Sequence, residues 1–170
     1  MPFTNKMLVI GTIDLDNIVI GLNSNSFFSQ EERGKHILML DYDDIKYKEL
    51  KKDIMRLQEK YDLPTFYIFI SSRKKVPKYH AFCFTPLNFM EMAKIVFDSK
   101  ADFGFKSCLL KFGFATLRFT PKHGYGIRGI PKFYKKIERK SKTRKEIEGA
   151  FNVLKKLMEE ERKIWLQKLS

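Results

Sequence analysis

Two aspartates stand two residues apart at the end of an apolar run, Ile37–Asp43 (ILMLDYD). The run has no polar alternation and predicts a buried central strand. A strand has a period of two, so Asp41 and Asp43 share one face while Asp44 points away. Two carboxylates that close repel each other unless a cation lies between them. Mg²⁺ or Mn²⁺ suits that place, because hard divalent ions prefer oxygen ligands. The competing reading is a strand end in which one Asp caps the next helix. His80 lies in a second strand pattern, Tyr79–Thr85 (YHAFCFT), just after Arg73, Lys74, Lys75 and Lys78. Beside the Asp41 strand it would reach a bound triphosphate, with Ser71 and Ser72 across the same hairpin; otherwise it is a packed or surface histidine. Arg118, within FATLRFT, calls for an anion or a carboxylate partner if it is even partly buried, and for solvent if it is not.

These residues need elements to hold them. Met7–Ile13 and Ile18–Leu22 predict an N-terminal β-hairpin. Leu50, Ile54, Leu57 and Tyr61 recur at helical spacing and predict a helix over Tyr47–Tyr61. Thr65–Ser71 is a strand. Asn88 caps a second helix with Phe89, Met92, Ala93, Val96 and Phe97 on one stripe. Phe112–Thr120 is read as the next strand. GYGIRG (Gly124–Gly129) is read as a turn. A long helix runs from about Arg144 to Leu169, with a stripe of Ile147, Phe151, Leu154, Met158 and Trp165. The order β-α-β-β-α-β predicts an α+β fold: a split β-α-β sheet of the RRM-like or ferredoxin-like kind, both helices on one face and the other face left for function. Residues 1–143 form this domain. Residues 144–170 form a helix that either docks on it or dimerises.

Composition bounds the function classes. The 170 residues carry 33 Lys+Arg against 20 Asp+Glu, and a 44% hydrophobic content with 16 Phe supports a folded core. No apolar run reaches the length of a membrane span, and the start lacks a secretory pattern, so a soluble cytoplasmic protein is expected. Cys83 and Cys108 form no CxxC pair and are read as reduced core residues. The charge is concentrated. Pro121–Lys145 holds Lys122, Arg128, Lys132, Lys135, Lys136, Arg139, Lys140, Lys142, Arg144 and Lys145 against Glu138 alone. Together with the Arg73–Lys78 cluster and interleaved with Tyr79, Tyr125, Phe133 and Tyr134, these cations predict nucleic-acid binding, single-stranded or template DNA foremost, with a membrane surface or an acidic protein as the competing partners. A P-loop, a GxSxG elbow and a His-hydrophobe-His motif are absent from the sequence.

LMLDYD, then a helix, a strand, a Ser-containing basic loop and a strand-borne His (SSRKKVPKYH) resemble the archaeo-eukaryotic primase superfamily, over about Ile37–Lys122. The resemblance implies Asp41 and Asp43 as ligands of Mg²⁺ or Mn²⁺, His80 as a contact to nucleotide phosphates, and nucleoside triphosphates as substrates. It also implies a third acid on a later strand. Here that strand reads Ala115-Thr116-Leu117-Arg118, with Thr116 where the acid belongs. Lys78 replaces the Ser expected two before His80, and Asp102 has no evident place. A small replicon such as an archaeal plasmid or virus is the implied setting.

Three readings follow. The first is a primase-like protein with Asp41, Asp43 and His80 as its catalytic set. Arg73, Lys74, Lys75, Lys78, Arg118, Lys122, Arg128, Lys132, Lys135, Lys136, Arg139 and Lys140 would then be its nucleic-acid contacts. The second is a noncatalytic single-strand-binding or accessory module. The third is a protein-interaction module dimerising through the C-terminal helix, or contacting a replication protein with it.

Overall fold

In the computed structural model the described residues are 21–32, 34–73, 76–121 and 126–168. The predicted hairpin lies outside them, apart from its last two residues. Those belong to a short strand, β1 (Gly21–Asn23). There follow β2 (Lys35–Asp43), α1 (Tyr47–Tyr61), β3 (Phe66–Arg73), β4 (Val76–Asn88), α2 (Phe89–Asp98), α3 (Phe103–Phe112), β5 (Thr116–Arg118), β6 (Lys132–Ile137) and α4 (Ala150–Lys168). A 3-10 turn covers Gly126–Gly129. The fold is mixed α+β, as expected. No helix among the described residues is long and apolar enough to cross a membrane.

The main sheet has the order β2-β4-β3-β6, every pair antiparallel. β2 and β3 therefore run parallel, joined through α1 with β4 between them, which is a split β-α-β unit. The predicted fourth strand departs from expectation. Phe112 ends helix α3, and only Thr116–Arg118 is extended. Asp102 caps α3 by accepting from the Phe105 N–H at 3.2 Å, and Gly113 ends it at φ 74°, a left-handed conformation that favours glycine. β5 pairs with β1, not with the main sheet. The two-strand ribbon is fastened beside the outer edge of β2, where Ile37 N–H donates to Ser24 O at 2.8 Å, and the N-cap of α3 meets the same strand, where Asp102 N–H donates to Asp41 O at 2.7 Å. That closes part of an edge that would otherwise be open to pairing. The far edge is taken by β6, which lies within the basic segment.

Alternation divides the sheet faces. Leu40, Ala81 and Ile68 lie in register on one face, and Tyr42, Tyr79 and Ile70 follow them. Helices α1 and α2 cover this face. Tyr42 donates to Asp53 of α1 at 2.9 Å, and α2 packs across β2 and β4. Asp53 also accepts from the Lys100 N–H, while Arg56 of α1 bridges to Asp98 at the end of α2. Asn88 accepts from the Glu91 N–H at 2.8 Å and returns a bond to its carboxylate, so the predicted cap is reciprocal. The opposite face carries Met39, Phe82 and Tyr67 in register. There α4 docks: Phe151 stacks on Tyr67 with centroids 4.3 Å apart, and Leu154 and Met158 are buried. The helix begins six residues later than predicted. Residues 139–145 instead form a loop around Asp62, the left-handed residue that ends α1 at φ 50°. Its carboxylate accepts from Ser141 Oγ, Thr143 Oγ1, the Lys142 and Thr143 N–H groups and the Arg139 guanidinium.

Candidate functional site

On the face that α4 covers, the register places Asp41 opposite His80, and His80 opposite Phe69. One step further, Asp43 stands opposite Lys78, and Lys78 opposite Ser71. The residues that the sequence singled out on β2 and β4 are thus brought together on one face. His80 Nε2 lies 3.5 Å from Asp41 Oδ1, and the Lys78 ammonium donates to Asp43 Oδ2 at 2.7 Å. Thr116, Leu117, Arg118, Thr120 and Gly129 complete a cleft of about 190 Å³ with Asp41, Ser71, Lys78 and His80.

β5 brings Arg118 to this cleft. It is held there by a close approach of β1: a Cβ at Gly21 would lie 3.1 Å from Leu117 O and 3.2 Å from Thr116 Cγ2. Thr116 is committed elsewhere, donating to Asn23 Oδ1 at 2.7 Å. The position where the resemblance implies a third acid therefore holds a hydroxyl spent on the ribbon. Asp102, by contrast, is adjacent. Its N–H meets the Asp41 carbonyl, and its charge is felt by the Asp41 carboxyl.

The electrostatics are those of a buried polar group awaiting a partner. Burial pushes the Asp41 carboxyl up from its usual range. Asp43 and Asp102 add to the rise, whereas His80 and Lys78 oppose it. Burial pushes the His80 imidazole down, against the pull of Asp41 and Asp43, so the ring is neutral at pH 7. Among the described residues, three buried polar atoms have no hydrogen-bond partner: Asp41 Oδ1, Asp43 Oδ1 and His80 Nδ1. Native interiors rarely leave such atoms unpaired, so three in one cluster single this place out as the candidate site.

Among the described residues, no group of three or more His, Cys, Asp and Glu converges as a ready metal cage. The donor chemistry still suits a hard cation. Two orphaned carboxylate oxygens lie on one face, with an imidazole beside them. Lys78 supplies the positive charge that Asp43 already has.

Among the described residues, the expected nucleic-acid contacts are spread over both sides of the sheet. Lys135 lies over the Tyr47 ring on the α1 side, and Lys136 lies over Tyr67 and Phe151 on the α4 side. Arg139 is bonded to Asp62 and to the Leu63 carbonyl, and Arg144 to Glu91 and the Tyr61 carbonyl. Lys140 lines a cleft with this loop, Arg128 is exposed on the 3-10 turn, and Lys132 opens β6 at its border with α4. Arg73 ends β3; Lys74, Lys75 and Lys122 lie outside the described residues. Cys83 is buried as predicted, but Cys108 is exposed on α3.

Sequence reasoning missed Asp102 and the bond between Lys78 and Asp43. The second was within reach, since antiparallel pairing of Asp41 with His80 forces Asp43 onto Lys78. The first needed α3, whose signal is an Asp cap and a Gly stop with ten residues between them. No protein-family model matches the chain, and neither a curated protein nor a solved structure matches it.

Proposed function

We propose that this chain is a primase-like nucleic-acid-binding protein whose β2–β4 site handles the phosphates of a nucleotide or a strand. The observation that carries the reading is the cluster of orphaned polar atoms of Asp41, Asp43 and His80 beside Lys78 and Arg118. Asp41 and Asp43 would hold Mg²⁺ or Mn²⁺, and such an ion would offset charge developing on transferring phosphates. Neutral His80 donates a hydrogen bond to a phosphate oxygen without first losing a proton. Lys78 and Arg118 supply charge at the cleft wall.

A second reading, a noncatalytic module on the same surface, is favoured by one feature. Lys78 already neutralises Asp43, and the side chain at 116 is a hydroxyl bonded to Asn23. A site so arranged binds phosphate without the full set of acids that two-metal chemistry uses.

The test is binding of labelled single- and double-stranded oligonucleotides over a salt series, with Mn²⁺ or chelator, and with nucleoside triphosphates in the metal samples. A steep salt slope supports phosphate contacts. Product that disappears in Asp41→Asn supports nucleotidyl transfer; binding without product supports the noncatalytic module. No binding at low salt refutes both.

A further inference from the structure

A second cavity, of about 360 Å³, opens on the same sheet face between β6 and α4. It adjoins the first. Phe69, which lines it, is the register partner of His80, and the segment from Gly129 to Pro131 runs between the two cavities. Phe133 and Met158 form its apolar wall, and Lys132, Lys155 and Arg162 its cationic rim, with Glu159 among them. Lys155 lies 5.6 Å from the Phe133 ring centroid, a cation–π arrangement.

Among the described residues, none of Lys132, Lys155 and Arg162 forms a salt bridge, although Glu159 lies in the same lining. Arg162 is part-buried and, among the described residues, its bonds go to neutral groups, the Ile130 carbonyl at 3.0 Å and the Pro131 carbonyl at 3.4 Å. A part-buried guanidinium satisfied by carbonyls alone retains its full charge for an external anion. An apolar ring beside uncompensated cations fits a ligand that is both flat and anionic. The carboxylate of Glu159 adds an acceptor for amino or hydroxyl groups.

We propose that the groove between β6 and α4 binds a nucleoside 5′-phosphate, with the base against Phe133 and Met158 and the phosphate at Lys132, Lys155 and Arg162. The unit is either a free nucleotide or one residue of a single strand. The inference builds on the reading of the neighbouring site, and it assigns α4 a binding role that a docking helix alone would not need.

The experiment measures anisotropy of labelled ATP and of a labelled oligothymidylate with the full chain, for wild type, Lys132→Met/Lys155→Met, Phe133→Leu and Asp41→Asn. Methionine keeps the apolar stems and removes the charge. The double variant is expected to lose about tenfold or more in affinity for at least one probe, with a shallower salt slope. Phe133→Leu is expected to lose about tenfold, the scale of one stacked base. If that variant fails to fold, competition by inorganic triphosphate replaces it, and ATP is expected to compete better. Loss for ATP alone identifies a free nucleotide; loss for both identifies a strand residue. Unchanged affinity of the double variant for both probes, or triphosphate competing as well as ATP, overturns the proposal. Should Asp41→Asn leave Mn²⁺ binding and product unaltered while the double variant still loses affinity, the neighbouring site's reading fails and the groove stands.

Discussion

Replacing Asp41 by Asn should make the protein more stable while abolishing what the site does. In the wild type, Asp41 Oδ1 is buried without a hydrogen bond, and burial pushes its carboxyl up from the usual 3.8. An unsatisfied buried acceptor costs about 1–3 kcal/mol, more when charged. The amide carries no charge and ends the repulsion with Asp43. Little is lost in return. His80 is neutral, so its attraction to Asp41 at 3.5 Å is weak, and Lys78 keeps its 2.7 Å bond to Asp43. A net gain of about 1 kcal/mol corresponds to a rise in Tm of roughly 2–4 °C for a chain of this size. The pH dependence fixes the cause. A carboxyl whose folded pKa is raised contributes stability in acid and loses it as the pH rises through that value. The advantage of Asp41→Asn is therefore largest at neutral pH and shrinks as the wild type takes up its proton. Thermal unfolding by circular dichroism in chelator, across pH, measures it. A variant no more stable than wild type at neutral pH would refute the argument. With saturating Mn²⁺ the order should invert, because ligand binding stabilises only the chain that binds.

Lys78→Met should tighten Mn²⁺ binding about tenfold or more by calorimetry, since a nearby ammonium repels the ion; equal or weaker binding would count against the site geometry. His36 is buried and held below 6.5, with its Nδ1 at 2.7 Å from Ser24 Oγ. That hydroxyl already accepts from the Ala115 N–H and has its proton to give to the neutral ring. A histidine with a lowered folded pKa loses stability as the pH falls below its unfolded value, so the urea midpoint should drop between about pH 7.5 and about 5.5, less steeply in His36→Gln. Cys108 should react with a thiol reagent in the native protein and Cys83 only after unfolding, because burial pushes the Cys83 thiol up; mass spectrometry counts the labels. Hydrogen bonds from Thr143 and its neighbours hold the Asp62 carboxyl well below its usual range. Asp62→Asn keeps the left-handed backbone but loosens the 139–145 loop, and faster tryptic cleavage there is the expected readout.

Where sequence patterns matched a single physical requirement, they were sufficient. The α1 stripe of Leu50, Ile54 and Leu57 has one buried face, and its observed span equals the expected one. Asn88 can satisfy the first turn of α2 in only one way. The pairing of Asp41 with His80 is not local, because α1 and β3 lie between β2 and β4 in the chain; it follows from the split β-α-β order, which sets β4 between β2 and β3. β6 was concealed because its lysines dominate it. KFYKKI places Lys135 and Lys136 over aromatic rings on opposite faces, so the strand reads as a charge run. α3 was concealed by the opposite problem. Phe103, Leu110 and Phe112 are exposed, which removes the one-sided stripe that marks a helix. Its ends, not its faces, carry the signal.

The division of the sheet face explains why a site exists at all. Along β4 one face reads Lys78, His80, Phe82, Phe84; along β3 it reads Ser71, Phe69, Tyr67; along β2, Asp43, Asp41, Met39. Each strand passes from polar to apolar in the same direction across the sheet. α4 seats on the apolar half through Phe151, and the β1–β5 ribbon walls the polar half with Thr116 and Arg118. The same alternation that buries Phe82 therefore aims His80 at Asp41. A one-residue deletion between Pro77 and His80 should shift the register there and turn His80 toward α1 and α2, where no acid awaits it in register. The three strands owe their cohesion to the apolar half and their chemistry to the polar half. Substitutions at Phe82 or Tyr67 should accordingly cost stability first, whereas those at Asp41 or His80 cost binding with stability kept or gained.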